Sequence, residues 1–484
     1  MKEVSLKSNI ALNAIKQTCT IIFPLITFPY ISRVLGTDTY GKYSFGYTYV
    51  NYFVLLAALG TSTYAVREGA KIRDDKKRIS AFGDDIFSIN VITMVLSYMI
   101  FFASIILWDK LNSYVWLLIV QSSAILLNTI GTDWLNSIYE DFKYISLRYI
   151  VFQIAAVILM FLLVKRPEDY IIYAGINVFA NSGPNLMNIF YTRRKYLKVR
   201  FRISETQKKH IIPLIILFSN TLAVSIYVNS DITLLGVFST DKSVGIYTLA
   251  AKIYNIVKQI LNAVIVVIIP RVAYYLGKNE IKKYNAVLNQ TIKGMIVLVL
   301  PAITGLSSIA CDVVLLCGGA DYFTAQKPLR ILCIALCFSV LGCFFSNAIL
   351  IVNQMEKLVL KVTILSAVLN IGLNLFFIPA FDMNGAAITT VIAEFIVLSI
   401  SFYYSRGKWE FYLSFRFVIS CIVGCLLLLL YLYLINNIFS GMILRLFVAI
   451  LGAALVYGIS LILLRNEFAL YMLSLLKKRL RHRR

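Results

Sequence analysis

The chain has 484 residues, 59% of them hydrophobic, and a formal net charge of +23 at pH 7. Soluble domains are usually about 45–50% apolar, so this composition, with a mean hydropathy of +0.78, excludes an ordinary soluble domain. The basic residues are clustered between long apolar runs. That arrangement argues against a nucleic-acid-binding protein and is typical of the charges that orient membrane helices.

The apolar residues form runs long enough to cross a bilayer, such as Val418 to Ile435 and Leu446 to Leu464. A helix needs roughly 20 apolar residues to cross a hydrocarbon core of about 30 Å, and the runs lack the alternation of barrel strands. We therefore predict an all-α integral membrane protein of about fourteen transmembrane helices. The predicted spans are 10–32, 43–66, 86–107, 114–135, 147–164, 170–191, 211–238, 246–269, 292–317, 329–352, 359–378, 383–404, 415–435 and 442–464.

Lysine and arginine are distributed unevenly over the two sides of the predicted spans. The segments on the N-terminal side hold 34 of the 47 basic residues, whereas the opposite loops hold 8. Cytoplasmic loops of membrane proteins have an excess of Lys and Arg. We therefore expect both termini to be cytoplasmic in a multi-pass protein of a bacterial cytoplasmic membrane.

A basic stretch and a short repeated motif divide the spans into two blocks. Thr37-Asp38 with Tyr40-Gly41 begins span two, and Thr240-Asp241 with Val244-Gly245 begins span eight. Their matching positions favour a parallel duplication of two six-helix lobes, followed by two extra C-terminal helices. The expected organisation is an N-lobe (1–191), a basic cytoplasmic linker (192–210), a C-lobe (211–404), spans thirteen and fourteen (405–464) and a basic cytoplasmic tail (465–484).

Polar and ionisable side chains follow one face of each of spans one, seven and eight. Ionisable residues inside a bilayer are costly, so such a stripe either lines a water-filled cavity or packs against another polar helix. The equivalent places of spans one and seven in the two blocks favour the cavity. The predicted substrate-binding residues are Asn13, Lys16, Asn220, Asp231, Lys252, Asn255, Lys258 and Gln259.

Two pairs of opposite charge allow more than one interpretation. Asp231 and Lys252 lie at similar depth on consecutive spans, where they form either an ion pair that locks the helices or a pair that couples an ion or gates transport. Asp133 and Arg148 lie near the cytoplasmic interface. Because long charged side chains reach water cheaply there, that position favours a structural role.

Catalytic and metal-binding signatures are missing from the sequence. No G-x-x-x-x-G-K-[ST] loop is present, and the two histidines, His210 and His482, lie in basic segments outside the spans. We therefore expect a transporter rather than an enzyme, with no cofactor and no metal.

Three segments resemble a known family. They are PYISRVLGTDTYGKYSFGYTYVNYF (Pro29 to Phe53) with the following Ala65 to Glu68, then Pro328 to Leu332, and NIGLNLFFIPAFDMNGAAITTVIAE (Asn370 to Glu394). The chain is similar over nearly its full length to bacterial polysaccharide repeat-unit flippases of the Wzx type. These belong to the multidrug/oligosaccharidyl-lipid/polysaccharide exporter superfamily.

The resemblance implies two lobes around a central cavity lined by spans one, two, seven and eight, with alternating access. The implied substrate is an undecaprenyl-diphosphate-linked oligosaccharide for O-antigen, other lipopolysaccharide or capsule synthesis, with Lys16, Lys252 and Lys258 as cations for the diphosphate. Further expected partners are membrane lipids, H⁺ or Na⁺ as a coupling ion, and other polysaccharide-assembly membrane proteins. No nucleic acid is expected.

Two functions of the same fold stay open beside this one. A multidrug exporter of the kind with an Asp in span one is disfavoured, because span one has no acidic residue. A peptidoglycan-precursor flippase is disfavoured, because no arginine lies deep in spans one, two, seven or eight. A membrane enzyme such as a polysaccharide polymerase would need a sizeable outer loop, which the span pattern does not contain.

Overall fold

The structure, a computed structural model, describes residues 6–439 and 441–481, with side chains for residues 16, 18–20, 22–439 and 441–474. The described residues form α-helices joined by short turns and contain no strand, so the predicted all-α fold is confirmed. The helices are α1 (Leu6–Ala58), α2 (Thr61–Ala70), α3 (Lys76–Leu107), α4 (Val115–Gly131), α5 (Asp133–Ile138), α6 (Phe142–Leu163), α7 (Tyr170–Asn181), α8 (Pro184–Lys195), α9 (Lys208–Phe238), α10 (Asp241–Gly277), α11 (Ile281–Ser308), α12 (Ala310–Gly318), α13 (Gln326–Cys343), α14 (Glu356–Ser405), α15 (Phe415–Ile438), α16 (Met442–Leu463) and α17 (Glu467–Arg481). A π-helical segment, Phe344–Ile351, continues α13.

Large apolar side chains cover the outside of this helical protein. Eleven helical segments of the described chain are long and apolar enough to cross a membrane. On α15 and α16, Leu426 and Phe447 are 59% and 63% exposed. Contiguous apolar surface of this extent is not stable in water. The chain is therefore a multi-pass integral membrane protein.

Two of the long helices are interrupted near their middle. The backbone of α1 leaves helical geometry at Gly36 (φ 70°, ψ −177°), and that of α14 does so at Asp382 (φ 52°, ψ −135°). A positive φ favours glycine, so Asp382 adopts a backbone conformation that is uncommon for its residue type. Each break divides its helix into two arms of about membrane-spanning length, and the resulting number of segments is compatible with fourteen crossings.

The chain forms two compact units, residues 1–245 and residues 246–484. Unit 1 contains α1 to α9 and the first residues of α10. Hydrogen bonds join α9 to the rest of this unit: the Tyr52 and Thr233 hydroxyls are 3.0 Å apart, and Lys110 Nζ donates to the Val237 carbonyl at 2.8 Å. The six-plus-six duplication and its boundaries in the sequence stay a prediction.

The repeated motif makes a reciprocal backbone contact inside unit 1. A Cβ added at Gly41 would lie 1.8 Å from the carbonyl oxygen of Asp241, and a Cβ added at Gly245 would lie 2.0 Å from the carbonyl oxygen of Thr37. Because no side chain fits at either distance, only glycine lets the two segments approach this closely. The contact gives a physical reason for a glycine at the same place in both motifs.

We expect Gly41→Ala and Gly245→Ala each to lower the thermal unfolding midpoint of the purified protein by several degrees, because overpacking a close contact costs about 1–3 kcal/mol. Differential scanning fluorimetry in detergent measures the change. Gly305→Ala in α11 is the matched control, since nothing lies within 4 Å of a Cβ added there. An unchanged midpoint for Gly41→Ala would contradict the proposed role of the contact.

Candidate functional site

Unit 1 encloses a polar cavity of about 370 Å³ between its helices. The walls come from α1 to α8, so nearly every helix of the unit contributes a side chain. The polar and charged residues that line it are Lys16, Thr61, Ser62, Asn90, Asn128, Thr129, Asp133, Arg148, Tyr149, Asn181 and Asn185. A polar cavity inside a bundle of apolar helices is the feature expected of a membrane-embedded binding site.

Local backbone geometry brings the charged residues of this cavity together. Arg148 and Tyr149 lie on α6 three and four residues after Ile145, so the three share one helical face. On the other side α4 ends at Gly131, and Thr132 adopts a left-handed conformation (φ 46°, ψ 40°) before α5 begins at Asp133. This turn places the Asp133 carboxylate opposite the α6 face.

Asp133 and Arg148 form an ion pair, with Nη2 of Arg148 2.5 Å from Oδ1 of Asp133. The Arg148 side chain is 5% exposed, whereas that of Asp133 is 47% exposed. Nε and Nη1 of Arg148 are buried and have no hydrogen-bond partner among the described residues. Each unsatisfied buried donor costs about 1–3 kcal/mol. The guanidinium therefore keeps two donor atoms that no described residue satisfies.

Asparagine side chains form hydrogen bonds to the Asp133 carboxylate and within the adjacent wall of the cavity. Oδ1 of Asp133 also accepts a hydrogen bond from Asn136 Nδ2 at 3.2 Å, and Asn136 Nδ2 donates to Asn188 Oδ1 at 2.7 Å. Asn185 Nδ2 donates to Asn128 Oδ1 at 2.9 Å. A Cβ added at Gly131 would lie 2.4 Å from Cγ of Asn185, so the close packing of this wall requires glycine there.

A second cation, Lys16, adds a positive charge to the lining of the cavity. Lys16 on α1 is half-buried, and its Nζ lies 5.6 Å from the centroid of the Tyr149 ring. The charged residues among the described lining of this cavity are Lys16, Arg148 and one carboxylate, Asp133. The described lining therefore has one more positive than negative charge. In a medium of low dielectric constant this surplus favours an anionic ligand.

Arg148 makes a cation–π contact with a pair of stacked tyrosine rings. Its guanidinium lies 5.2 Å from the centroid of the Tyr144 ring, and Tyr144 stacks on Tyr191 with centroids 3.6 Å apart and an interplanar angle of 8°. The Tyr191 hydroxyl donates to Oδ2 of Asp141 at 2.6 Å. The stack therefore connects the arginine in the cavity to an acidic residue in the turn between α5 and α6.

Asp141 is the centre of a hydrogen-bonded cluster outside the membrane-spanning segments. Burial acts to raise the pKa of its carboxyl. Hydrogen bonds from Lys195, Tyr191 and Tyr196 outweigh that effect and lower the pKa below its usual value. The charged form of Asp141 is therefore the form that stabilises the fold.

We expect Asp141→Asn to lower the thermal unfolding midpoint by a few degrees at pH 7, because the amide cannot replace the charged hydrogen bonds. The contribution of a carboxyl with a lowered folded-state pKa is present above its unfolded pKa of about 3.9 and is lost as the pH falls through the folded value. The difference between wild type and variant should therefore shrink below pH 4. Asp74→Asn is the control, since Asp74 is exposed; an equal loss in both variants would contradict the role of the cluster.

A smaller chamber of about 130 Å³ adjoins the charged cavity and shares Val54, Asn128 and Asn181 with it. Its described lining contains no charged residue. The remaining polar residues that line it are Tyr43, Tyr47, Asn51, Gln121, Asn177 and Ser182. Oε1 of Gln121 is buried without a hydrogen-bond partner among the described residues. Neutral amides and tyrosine rings of this kind suit uncharged hydroxyl-rich ligands.

Only one of the predicted site residues of unit 1 has its described side chain in this cavity. Lys16 lines it, whereas the side chain of Asn13 lies outside the described residues. On α9, Asn220 is exposed and Asp231 is buried. Neither of the two is among the residues that line the two chambers.

The predicted residues of unit 2 lie on α10. Lys252 and Asn255 are half-buried, and Gln259 is exposed. Lys258 Nζ lies 2.6 Å from Oε1 of Glu394, whose side chain is 7% exposed. The positive charge of Lys258 is therefore matched by a buried carboxylate. The suggested pairing of Asp231 with Lys252 stays a prediction.

Several residues of the cavity escaped prediction from the sequence. The sequence places Asp133 and Arg148 near the cytoplasmic interface and favours a structural role, whereas in the structure both line the cavity. The sequence does contain a signal for this pair. Asp133 and Arg148 lie at almost equal numbers of residues before and after the turn between α5 and α6, so their side chains can meet across that turn. Asn90, Asn128 and Asn185 give no comparable signal, because isolated asparagines occur in many spans.

Comparison with known proteins places this architecture in a family. The family model described as "Polysaccharide biosynthesis protein" matches residues 6–276. A protein of Escherichia coli (strain K12) named "Putative O-antigen transporter" is 26% identical over 425 residues, which are 84% of this chain and 98% of that protein. A Haloferax volcanii protein named "Probable low-salt glycan biosynthesis flippase Agl15" is 27% identical over 190 residues, 37% of this chain and 40% of that protein.

A solved structure has the same fold. The structure entitled "Lipid II flippase MurJ, inward closed conformation" superimposes with a TM-score of 0.77 at 16% sequence identity, covering 94% of this chain and 99% of that one. Fold and cavity together define a multi-helix membrane protein with a polar cavity among its helices. The chain belongs to the polysaccharide biosynthesis protein family.

Proposed function

We propose that this protein is a flippase for undecaprenyl-diphosphate-linked oligosaccharide repeat units, which it moves from the cytoplasmic to the outer leaflet of a bacterial cytoplasmic membrane. The observation that supports this most directly is the surplus of positive charge in the cavity of unit 1, where Lys16 and Arg148 face one carboxylate. The names of the relatives, an O-antigen transporter and a glycan flippase, support the same substrate class.

Each part of such a substrate has a matching environment. The diphosphate is multiply charged, and hydrogen bonds between an anion and Lys or Arg are shorter and stronger than neutral ones. The saccharide hydroxyls require neutral hydrogen-bonding groups, which the amides of the adjoining chamber provide. The polyprenyl tail can remain in the lipid while the polar head crosses.

Orientation and mechanism follow from the same proposal. The excess of basic residues on the N-terminal side of the spans favours cytoplasmic termini. Alternating access would open the binding site to one leaflet at a time, so that the charged head never has to cross bare hydrocarbon. The N-lobe, C-lobe and two additional spans predicted from the sequence are the parts that we propose move in this cycle.

A multidrug exporter of the same fold is the main competing function. Drugs of that kind are mostly cations, and a cationic ligand would prefer acidic and aromatic walls. The cavity of unit 1 instead places two cations beside one carboxylate. Repulsion in a medium of low dielectric constant therefore disfavours a cationic substrate.

We expect Lys16→Ala to reduce transport at least tenfold at unchanged protein levels, because it removes one of two cations that hold the diphosphate. Lys16→Arg should retain most activity. The measurement is complementation of a flippase-deficient strain of the native bacterium, scored by surface polysaccharide and by lipid-linked repeat units trapped in the cytoplasmic leaflet. Lys76→Ala is the control, since Lys76 is exposed at the start of α3.

The ion pair needs a double variant, because removing Asp133 alone would leave the buried guanidinium of Arg148 without its partner. Asp133→Asn combined with Arg148→Gln keeps the hydrogen-bonding shape and removes both charges. We expect it to fold and to lose transport. Wild-type surface polysaccharide in this variant and in Lys16→Ala would overturn the proposed binding mode.

A further inference from the structure

Unit 2 contains a second charged cavity, which the proposed function does not use. Its volume is about 510 Å³, and it lies between α11, α12, α13, α15 and α16. Its charged residues are Asp312, Arg330 and Arg445, and Tyr433 and Asn436 add neutral polar groups. The rest of the lining is mostly apolar.

Asp312 and Arg445 form a two-pronged ion pair in this cavity. Nε of Arg445 lies 2.9 Å from Oδ2 of Asp312, and Nη2 lies 2.5 Å from Oδ1. The side chains are 14% exposed for Asp312 and 22% for Arg445. The carboxylate therefore neutralises Arg445 and holds its guanidinium in a fixed orientation.

Arg330 provides the charge that this pair does not balance. Its Nε donates to the carbonyl oxygen of Ser307 at 3.2 Å. Within residues 6–439 and 441–481 it has no acidic partner. The side chain is exposed, and the cavity as a whole has one uncompensated positive charge.

The position of the cavity indicates contact with lipid. Its wall includes Leu429 and Tyr433 of α15, which are 37% and 67% exposed on a helix that is long and apolar enough to cross a membrane. Asn436 and Arg445 lie at the connection between α15 and α16. This is the end of the hairpin opposite to the basic segment 406–414. Charged groups at the end of apolar spans lie at the depth of lipid headgroups.

We propose that this cavity binds the anionic phosphate headgroup of a lipid. Arg330 supplies the unpaired charge, Arg445 is held in place by Asp312, and the hydroxyl of Tyr433 and the amide of Asn436 donate to the remaining phosphate oxygens. The exposed apolar face of α15 accommodates the hydrocarbon chains. An anionic phospholipid and a polyprenyl phosphate both have a phosphate group and hydrocarbon chains of this kind. The binding of either lipid in this cavity does not depend on substrate binding in unit 1.

The test uses the purified full-length protein in detergent and measures lipid binding by native mass spectrometry. The probes are phosphatidylglycerol, phosphatidylcholine with the same acyl chains, undecaprenyl phosphate and inorganic phosphate. We expect phosphatidylglycerol to bind at least fivefold more tightly than phosphatidylcholine. Arg330→Gln should remove that preference, whereas Lys327→Gln, which changes an exposed cation one turn earlier on α13, should not.

Asp312→Asn with Arg445→Gln provides a second variant that leaves no unpaired carboxylate, and it should also weaken binding. Preferential binding of undecaprenyl phosphate over phosphatidylglycerol, with the same sensitivity to Arg330→Gln, would support the site and identify a polyprenyl phosphate as its ligand. Equal binding of phosphatidylglycerol by wild type and Arg330→Gln would overturn the proposal. Binding of inorganic phosphate without any lipid preference would also overturn it.

Discussion

A guanidinium buried among membrane-spanning helices is the constraint on which the candidate site depends. The Arg148 side chain is 5% exposed, and an isolated charge at such a position would be prohibitively costly. Asp133 offsets the charge, and the stack of Tyr144 on Tyr191 provides a polarisable surface for it. The left-handed turn at Thr132, the glycine at 131 and the amide network around Asn188 all serve to hold that carboxylate in place.

The two units treat their buried cations differently. In unit 2, Lys258 is matched by Glu394, so this part of α10 is electrically balanced. In unit 1, Lys16 adds a second cation to a cavity whose single carboxylate already pairs with Arg148. The imbalance favours an anionic ligand in this cavity, which agrees with the diphosphate that we propose.

Sequence patterns predicted the helical membrane fold because long apolar runs allow few other structures. They also predicted a polar environment for Lys16, since a lysine in the inner half of a span requires one, and Lys16 lines the polar cavity of unit 1; its role in binding stays a prediction. They did not predict that Arg148 would turn inward, because its depth alone is equally compatible with snorkelling. Nor did they predict the asparagine walls: Asn128 and Asn185 meet only through packing of α4 against α8, and such contacts between distant segments leave no local pattern.

Reconstitution into proteoliposomes tests the central claim most directly. The purified protein would be combined with an undecaprenyl-diphosphate-linked oligosaccharide, and the arrival of the glycan on the opposite leaflet would be followed with a membrane-impermeant lectin. The account predicts translocation by the wild type and its loss in the variant with Asp133→Asn and Arg148→Gln. Transport of cationic dyes without glycan translocation by the folded wild-type protein would contradict it.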